Sequence, residues 1–438
     1  MEHPSPPSGP VSETRRLIFD AIRDTGVPLR DFVPISPILV TPQEQRALQF
    51  AATALLDLCR RTVLYLSDST AGRLDAYGAD STDYPLFTTD TAFEEGLCDV
   101  FARPDFILTD DGPCLLEFNV SGAIGGVPEL STMQAGLRAA YGRRRNVSWS
   151  WSDPYRDRAR AFGRISSRHG FDRTAIVVGS VRDMKHTSKP KIFDLEVEAL
   201  RDQGFAAEFV EPDSIDSYLE AAPIPKLGLR MFTVPEWAEA GIELGSVRRL
   251  LDRGCWLLGP QSSAFLANKK TLAFLSEGMP WMTRRDHALV TQYLPWTRLV
   301  GDRQTTNSHG DQVDLLPYCL QYQDSLVLKE AIGMQGMQVT IGSECSAAQW
   351  EESVHRAASD GGSIIQRLVT PTTRAVWLSH GDAESDNELV RTRPIVSYFV
   401  FDGQASGGWA RFRPDDSYGI VSREGFGAFE TAVHGGSL

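Results

Sequence analysis

Asp105, Glu117 and Asn119 are the residues best spaced for chemistry in this chain. They lie in ARPDFILTDDGPCLLEFNVSG, two runs of strand-forming residues around an Asp-Asp-Gly turn. Side chains two apart on a strand share a face, so Glu117 and Asn119 point the same way. A three-residue loop of Asp110, Asp111 and Gly112, with glycine at the left-handed position, gives a register whose paired numbers sum to 222 and sets Asp105 opposite Glu117. Phe106, Leu116 and Phe118 then take the other face. Carboxylates directly across a ladder lie roughly 5 Å apart and repel at a protein's effective dielectric. A hard cation between them, Mg²⁺ by the all-oxygen donor set, removes the conflict. The same residues also admit a structural reading, with Asp105 capping a turn, Glu117 solvated and Asn119 ending a strand. On the metal reading both carboxylates line a ligand-facing surface, and Asp105→Asn or Glu117→Gln is expected to abolish turnover while sparing the fold.

Periodicity and turn chemistry place the surrounding elements. Residues 13–25 and 42–66 carry apolar side chains at helical spacing, so the first hundred residues are expected to be mainly helical after a Pro-rich start. From 171 a βαβ unit is expected: TAIVVGS as a buried strand, FDLEVEALRDQG as a helix stopped at Gly204, and AAEFVEP as the next strand. KLGLRMF and CWLLGP supply two more strands. Beyond 261 a helix bears Asn268, Lys269 and Lys270, followed by strand, glycine-bearing loop and strand in LVLKEAIGMQGMQVTIG, and then by SIIQRLVTP. RPIVSYFVFDGQASGGWARFRP reads as a second hairpin, turning at Asp402 and Gly403 and ending in arginines. The expected organisation is α/β (α+β): a helical region 1–100, the hairpin and its continuation in 101–165, the βαβ domain 166–260, and a region 261–438 with the lysines and the C-terminal hairpin.

At these residues the sequence resembles the circularly permuted ATP-grasp family, which includes the synthetase half of glutathionylspermidine synthase. Arg103 and Asp105 two apart on one strand, then Glu117 and Asn119 two apart on the next, match its pattern, and the hairpin precedes the lysines as the permutation requires. The resemblance covers about 100–135 and 259–420, and residues 1–100 match nothing in it. It implies an ATP-grasp fold with ATP between two α+β subdomains and an adjoining βαβ pre-ATP-grasp domain. By the same resemblance Asp105, Glu117 and Asn119 hold Mg²⁺, and Arg103 and Arg411 are catalytic, near the transferred phosphoryl group. Lys269 or Lys270, with Lys269 favoured, and Lys329 contact the ATP phosphates. Gly333 and Gly336 belong to a mobile loop over them, and Gln366 marks where backbone groups meet adenine.

The implied reaction is amide formation through an acyl phosphate, with ATP converted to ADP and phosphate. It needs no protein nucleophile. Peptide ligation of the kind that builds the pheganomycin family of antibiotics comes first, and ligation of a polyamine to a peptide second. A non-catalytic nucleotide-binding module, a kinase-like transfer and a Mg²⁺-binding protein unrelated to ATP stay open as other classes. Substrate contacts are expected from Ser121 and from Lys185, His186 and Lys189, whose loop follows a buried βαβ strand. Arg143, Arg144 and Arg145 with Trp149 and Trp151 either hold an anionic substrate or are simply solvated.

Composition narrows the partners. A net charge of -13 and a pI near 5.2 argue against a general nucleic-acid surface and leave small carboxylates, amines and peptides, with the chain a monomer or homodimer. No stretch approaches the roughly 18 apolar residues of a membrane span, and the start lacks the pattern of a signal peptide, so a cytoplasmic protein without a membrane partner is expected. Six cysteines without zinc spacing read as reduced core residues.

Overall fold

The computed structural model describes residues 11–23, 33–141, 152–182, 191–221, 223–333, 338–381, 386–414 and 428–436. The carboxylate hairpin, Phe101–Thr109 with Gly112–Val120, forms one edge of a six-stranded sheet. Next to it run Ile395–Phe401, Gln404–Phe412, Phe429–Gly435 and Ile38–Val40, in that order. The last two pair in parallel, and the rest of the sheet is antiparallel. The C-terminal hairpin turns at Asp402 and Gly403, with φ of 51° and 73°, as a two-residue turn between right-twisted strands requires. It packs beside the carboxylate hairpin, so the central sheet crosses the boundary expected at 261.

The described part of the first hundred residues is mainly helical, but it does not stand apart from the sheet. Ile38–Val40 is a strand of the central sheet, and the helix Pro42–Leu66 lies across that sheet, packing on both hairpins. A capping box fixes its start: the Thr41 side chain accepts from the Glu44 backbone while Glu44 accepts from Thr41 N–H. Its buried Leu48, Leu55, Leu56 and Cys59 share a core with Phe106, Leu115 and Phe118 of the hairpin.

The expected βαβ unit is present and extends to a four-stranded parallel sheet. Its order is Ala206–Val210, Thr174–Val178, Leu227–Arg230, Trp256–Leu258, with helix Lys191–Asp202 packed on it. An antiparallel sheet holds Val339–Ile341, Leu326–Glu330, Ser363–Arg367 and Thr297–Leu299, and packs on helix Ala347–Asp360. Cys59, Cys98, Cys255 and Cys319 are buried and free. Burial pushes the thiols of Cys98, Cys255 and Cys319 up to about 12, so they stay protonated.

Two local departures from the expected elements set the geometry around the carboxylates and lysines. The hairpin turn holds two residues, Asp110 and Asp111, because Thr109 pairs with Gly112. The Thr109 hydroxyl tightens it, donating to Gly112 O at 2.9 Å and accepting from Asp111 N at 3.2 Å. A register shift between Asp105 and Phe106 then skips Leu116, and Asp105 again faces Glu117. This bulge puts Leu115, rather than Leu116, into the core with Phe106 and Phe118. The expected helix through Asn268, Lys269 and Lys270 is broken. Ser263–Ala267 ends at Asn268, whose backbone is extended and whose Oδ1 accepts from Lys270 N at 2.9 Å to start Lys270–Glu277.

The loop leaving the hairpin lies flush on the carboxyl edge of the parallel sheet. A Cβ on Gly122 would sit 2.3 Å from Arg230 O and 2.6 Å from Leu258 O, both backbone atoms. We expect Gly122→Ala to cost roughly 3 kcal/mol by forcing loop and sheet apart. Gly361→Ala, at φ 62° with open space around it, should cost only about 1 kcal/mol. Urea unfolding of the two variants checks the difference.

Candidate active site

Strand register assembles the site. Trp409, Ser397, Asp105 and Glu117 are successive cross-strand partners across four neighbouring strands, and so share one face. Arg411, two beyond Trp409, Arg103, two before Asp105, and Asn119, two beyond Glu117, lie on the same face.

Asp105 is the centre of this face, with 1% of its surface exposed. Its Oδ1 accepts from Arg103 Nε at 3.2 Å and Ser397 Oγ at 2.7 Å. Its Oδ2 accepts from Arg103 Nη2 at 3.4 Å, Asn119 Nδ2 at 3.2 Å and Arg411 Nη2 at 2.5 Å. Burial alone would oppose its ionisation, but Arg103 and Arg411 outweigh burial, with help from Ser397, and hold the carboxyl at about 2. Arg103 also donates to Gly125 O at 2.8 Å, which ties the exit loop to the site. Burial lowers the guanidinium pKa of Arg103, while Asp105 opposes that shift.

The lysines arrive from two other elements. The break at Asn268 turns Lys269 out of the helix, its N–H bonded to Ala331 O at 2.9 Å and its Nζ 3.1 Å from Glu117 Oε2. Lys270 points elsewhere and donates to the Tyr77 carbonyl at 2.7 Å. Lys329, on Leu326–Glu330, donates to Gln366 Oε1 at 2.7 Å and reaches the Leu116 carbonyl, at the hairpin bulge, at 3.5 Å. Burial brings the Lys329 ammonium down to about 8; Glu117 opposes that shift and Lys269 adds to it. The Glu117 carboxyl is pushed up by burial and by Asp105, yet Lys269 first and Lys329 second bring it below its ordinary value.

Arg103, Asp105, Glu117, Asn119, Lys269, Lys329, Gln366 and Arg411 are thus brought into one connected set, and Lys270 is not. Gln366 holds Lys329 with its side chain, its Nε2 fixed on Thr297 Oγ1 at 3.0 Å. Its backbone pairs with Val327 on one side and Thr297 on the other, so the expected adenine contact through Gln366 backbone groups finds them committed to the ladder. Ser121 accepts from Ala123 N within the exit loop. Gly333 lies just after the Lys329 strand, where a Cβ would meet Gln338 Oε1 at 2.7 Å. Gly336, Lys185, His186, Lys189, Arg143, Arg144, Arg145, Trp149 and Trp151 lie outside the described residues.

Sequence reasoning passed over Ser397, Trp409, Thr297 and Arg230. A serine inside the apolar run IVSYFVF, on the strand next to that of Asp105, is a signal only once the sheet order is known. Arg230 ends a parallel strand at the edge on which the exit loop rests; it is buried, and its Nε has no hydrogen-bond partner among the described residues. Burial brings its guanidinium down to about 10, with Glu94 opposing.

Could this set hold a cation? Among the described residues no group of three or more His, Cys, Asp or Glu is arranged to bind a metal. The hairpin offers two carboxylates and an amide. Asp105 already accepts five hydrogen bonds against about four lone-pair sites. Glu117, with a third of its side chain exposed, and the Asn119 carbonyl are the oxygens that suit Mg²⁺.

The chain is a mixed α/β protein of several sheets, and its fold is similar to that of a glutathione synthetase-like protein. The solved structure in question is a glutathione synthetase-like effector, GSS30, from Globodera pallida in its apo form. The match covers 98% of both chains at a TM-score of 0.62 and 11% identity, a likeness of fold alone. No protein-family model and no curated protein matches the chain. Among the described residues no helix is long and apolar enough to cross a membrane.

The buried Asp105 corrects the expectation that its loss would spare the fold. Asp105→Asn should lower stability at pH 7 by roughly 3 kcal/mol, because two buried guanidiniums lose their counter-charge. The native carboxyl, at about 2, lies below its ordinary 3.8, so its contribution is fully present above 3.8 and is lost as the pH falls through about 2. Urea unfolding of both proteins between pH 7 and pH 2 should show their difference shrinking below pH 3.8.

Proposed function

We propose that this chain is an ATP-dependent carboxylate–amine ligase of the ATP-grasp type, forming an amide bond through an acyl phosphate. The observation that carries this reading is the charge of the site. Arg103, Arg411, Lys269 and Lys329 set four positive charges against the two negative charges of Asp105 and Glu117, an excess of +2 in a largely buried cluster. Such an excess disfavours a bare cation and favours a polyanion carrying one, as nucleotide triphosphate does.

In this reading Lys329 and Lys269 bind the phosphates, and Gln366 and Thr297 fix the direction of Lys329. Glu117 and Asn119 would hold Mg²⁺, which when bound neutralises phosphate charge and draws the phosphoryl group towards attack. The substrate carboxylate oxygen bonds to the γ-phosphorus as the bond to ADP breaks, and Arg103 and Arg411 face the charge on the transferred group. The amine nitrogen then bonds to the acyl carbon, phosphate leaves with its oxygen, and the nitrogen gives up a proton to phosphate or solvent.

The finer part of the reading is peptide-bond formation in a natural-product pathway, in the cytoplasm, with an amino acid or short peptide as the carboxylate substrate. Arg230 supports it, as a buried guanidinium beside Glu94 at the edge carrying the exit loop, its Nε without a hydrogen-bond partner among the described residues.

The protein should release ADP and phosphate, not AMP and pyrophosphate, when given ATP, Mg²⁺ and a matched pair from a panel of amino acids, peptides and polyamines. AMP release would remove the acyl-phosphate mechanism. Lys329→Met should raise the KM for ATP by roughly 10- to 100-fold, the loss expected for a charged hydrogen bond. Because bound phosphate favours the protonated amine, ATP affinity of the native protein should fall as pH rises through about 8. Calorimetric titration across that range should find the step in native protein and none in Lys329→Met. Arg230→Met should raise the KM of the carboxylate substrate about tenfold and leave that of ATP unchanged.

A further inference from the structure

The two arginines on Asp105 share a second contact. Both lie over the same indole: the Trp409 ring centroid is 5.1 Å from the Arg103 guanidinium carbon and 5.0 Å from that of Arg411. Trp409 is buried and stands in the register row with Ser397 and Asp105. Its position is imposed from the other side as well. Gly126, at φ 95°, lies against the ring, so that a Cβ there would fall 2.8 Å from Cε3 and Cζ3. Phe399 flanks it at 6.5 Å.

Two guanidiniums on one carboxylate leave one positive charge uncompensated, and at this separation they repel each other. A carboxylate alone does not set the direction from which each fork approaches. An aromatic face within about 6 Å attracts both cations and offers each a plane to lie on. It adds no charge and takes up no carboxylate lone pair.

We propose that Trp409 is a positioning residue of the site: its ring holds the guanidiniums of Arg103 and Arg411 on the single carboxylate of Asp105, and so sets where the pair presents positive charge to an anionic substrate group. Gly126 is glycine because the ring occupies the space of any side chain there. The assignment of substrate rests on the ligase reading, but the holding of the arginines does not.

The test uses full-length protein labelled with ¹⁵N-arginine, the Nε–H signals of Arg103 and Arg411 being assigned with Arg103→Lys and Arg411→Lys. Solvent exchange of both signals should be slow in native protein and in Trp409→Phe, which keeps an aromatic face, and at least tenfold faster in Trp409→Leu. If Trp409→Leu does not fold, Trp409→Met is read in its place. Unchanged exchange in the aliphatic variant overturns the proposal, and so does Trp409→Phe behaving as the aliphatic variant does. In the ligase assay the aliphatic variant should lose tenfold or more in kcat with little change in the KM for ATP, and Trp409→Phe should restore kcat to within a few fold. An ATP KM that rises as kcat falls would make Trp409 merely structural and overturn the role. Faster arginine exchange in Trp409→Leu, in a protein whose native form releases no ADP, would remove the ligase reading and leave the holding of the arginines standing.

Discussion

The carboxylate of Asp105 is the point on which the site and much of the sheet depend, because it is fully removed from water and still ionised. A buried carboxylate is tolerated only when its charge and lone pairs are met. Here the partners come from four strands: Arg103 on its own, Asn119 on the next, and Ser397 and Arg411 on the C-terminal hairpin. Those last two lie 292 and 306 residues away in sequence. One ionised group thus fixes which hairpins lie side by side and in what register, and the register in turn places Trp409 and Glu117 in its row. Neither a protonated nor an amide side chain would satisfy both arginines, so the chemistry of the site and the order of the sheet have a common cause.

That arrangement makes Asp105 different from Glu117, although they face each other across one ladder. Asp105 is enclosed and saturated, and its charge is spent inside the protein. Glu117 is partly exposed and paired with Lys269, and Lys329 stands behind it, lowered to about 8 by burial. The inner carboxylate holds two arginines, and the outer one, with a third of its side chain exposed, holds a lysine. One positive charge is in excess at each carboxylate, and beside Glu117 burial has loosened the hold of Lys329 on its proton. Two carboxylates that face each other across one ladder are thus set apart by burial and by their different cationic partners.

Local rules recovered what is local. The C-terminal hairpin follows from its Asp-Gly turn, the carboxylate hairpin from an Asp-Asp-Gly signal, the long helix from its apolar period, and the parallel strands from buried apolar runs. The facing of Asp105 and Glu117 was reached through a loop one residue too long, and the bulge at Leu116 restored the register that the shorter loop had shifted. Bulges respond to twist and to packing on the helix below, and neither is written in a strand's own residues. The break at Asn268 was hidden for a related reason. Asparagine between apolar runs suits a helix surface as well as a cap, and only the pull of the Ala331 carbonyl on Lys269 N–H decides between them. Ile38–Val40 escaped notice because three residues give no periodicity, and Ser397 and Trp409 because their meaning lies in strands hundreds of residues away.

The likeness to the glutathione synthetase-like effector bears on a different level from any of these contacts. At 11% identity a shared outline is maintained by which positions are buried, and many apolar residues satisfy a given position equally well. Shape of that kind passes between proteins without passing on chemistry. A buried, five-fold bonded carboxylate behaves in the opposite way, since removing it leaves two guanidiniums without a counter-charge, which no repacking absorbs. The side chains joined through Asp105 are therefore the part of the structure least free to drift if the site works and the first to decay if it does not. All of them stand here with their partners in place: Arg103, Arg411, Ser397 and Asn119 on Asp105, Lys269 on Glu117, and Lys329 on Gln366. Any reaction at this face depends on that connected set of charges, and the fold supplies only the frame in which they meet.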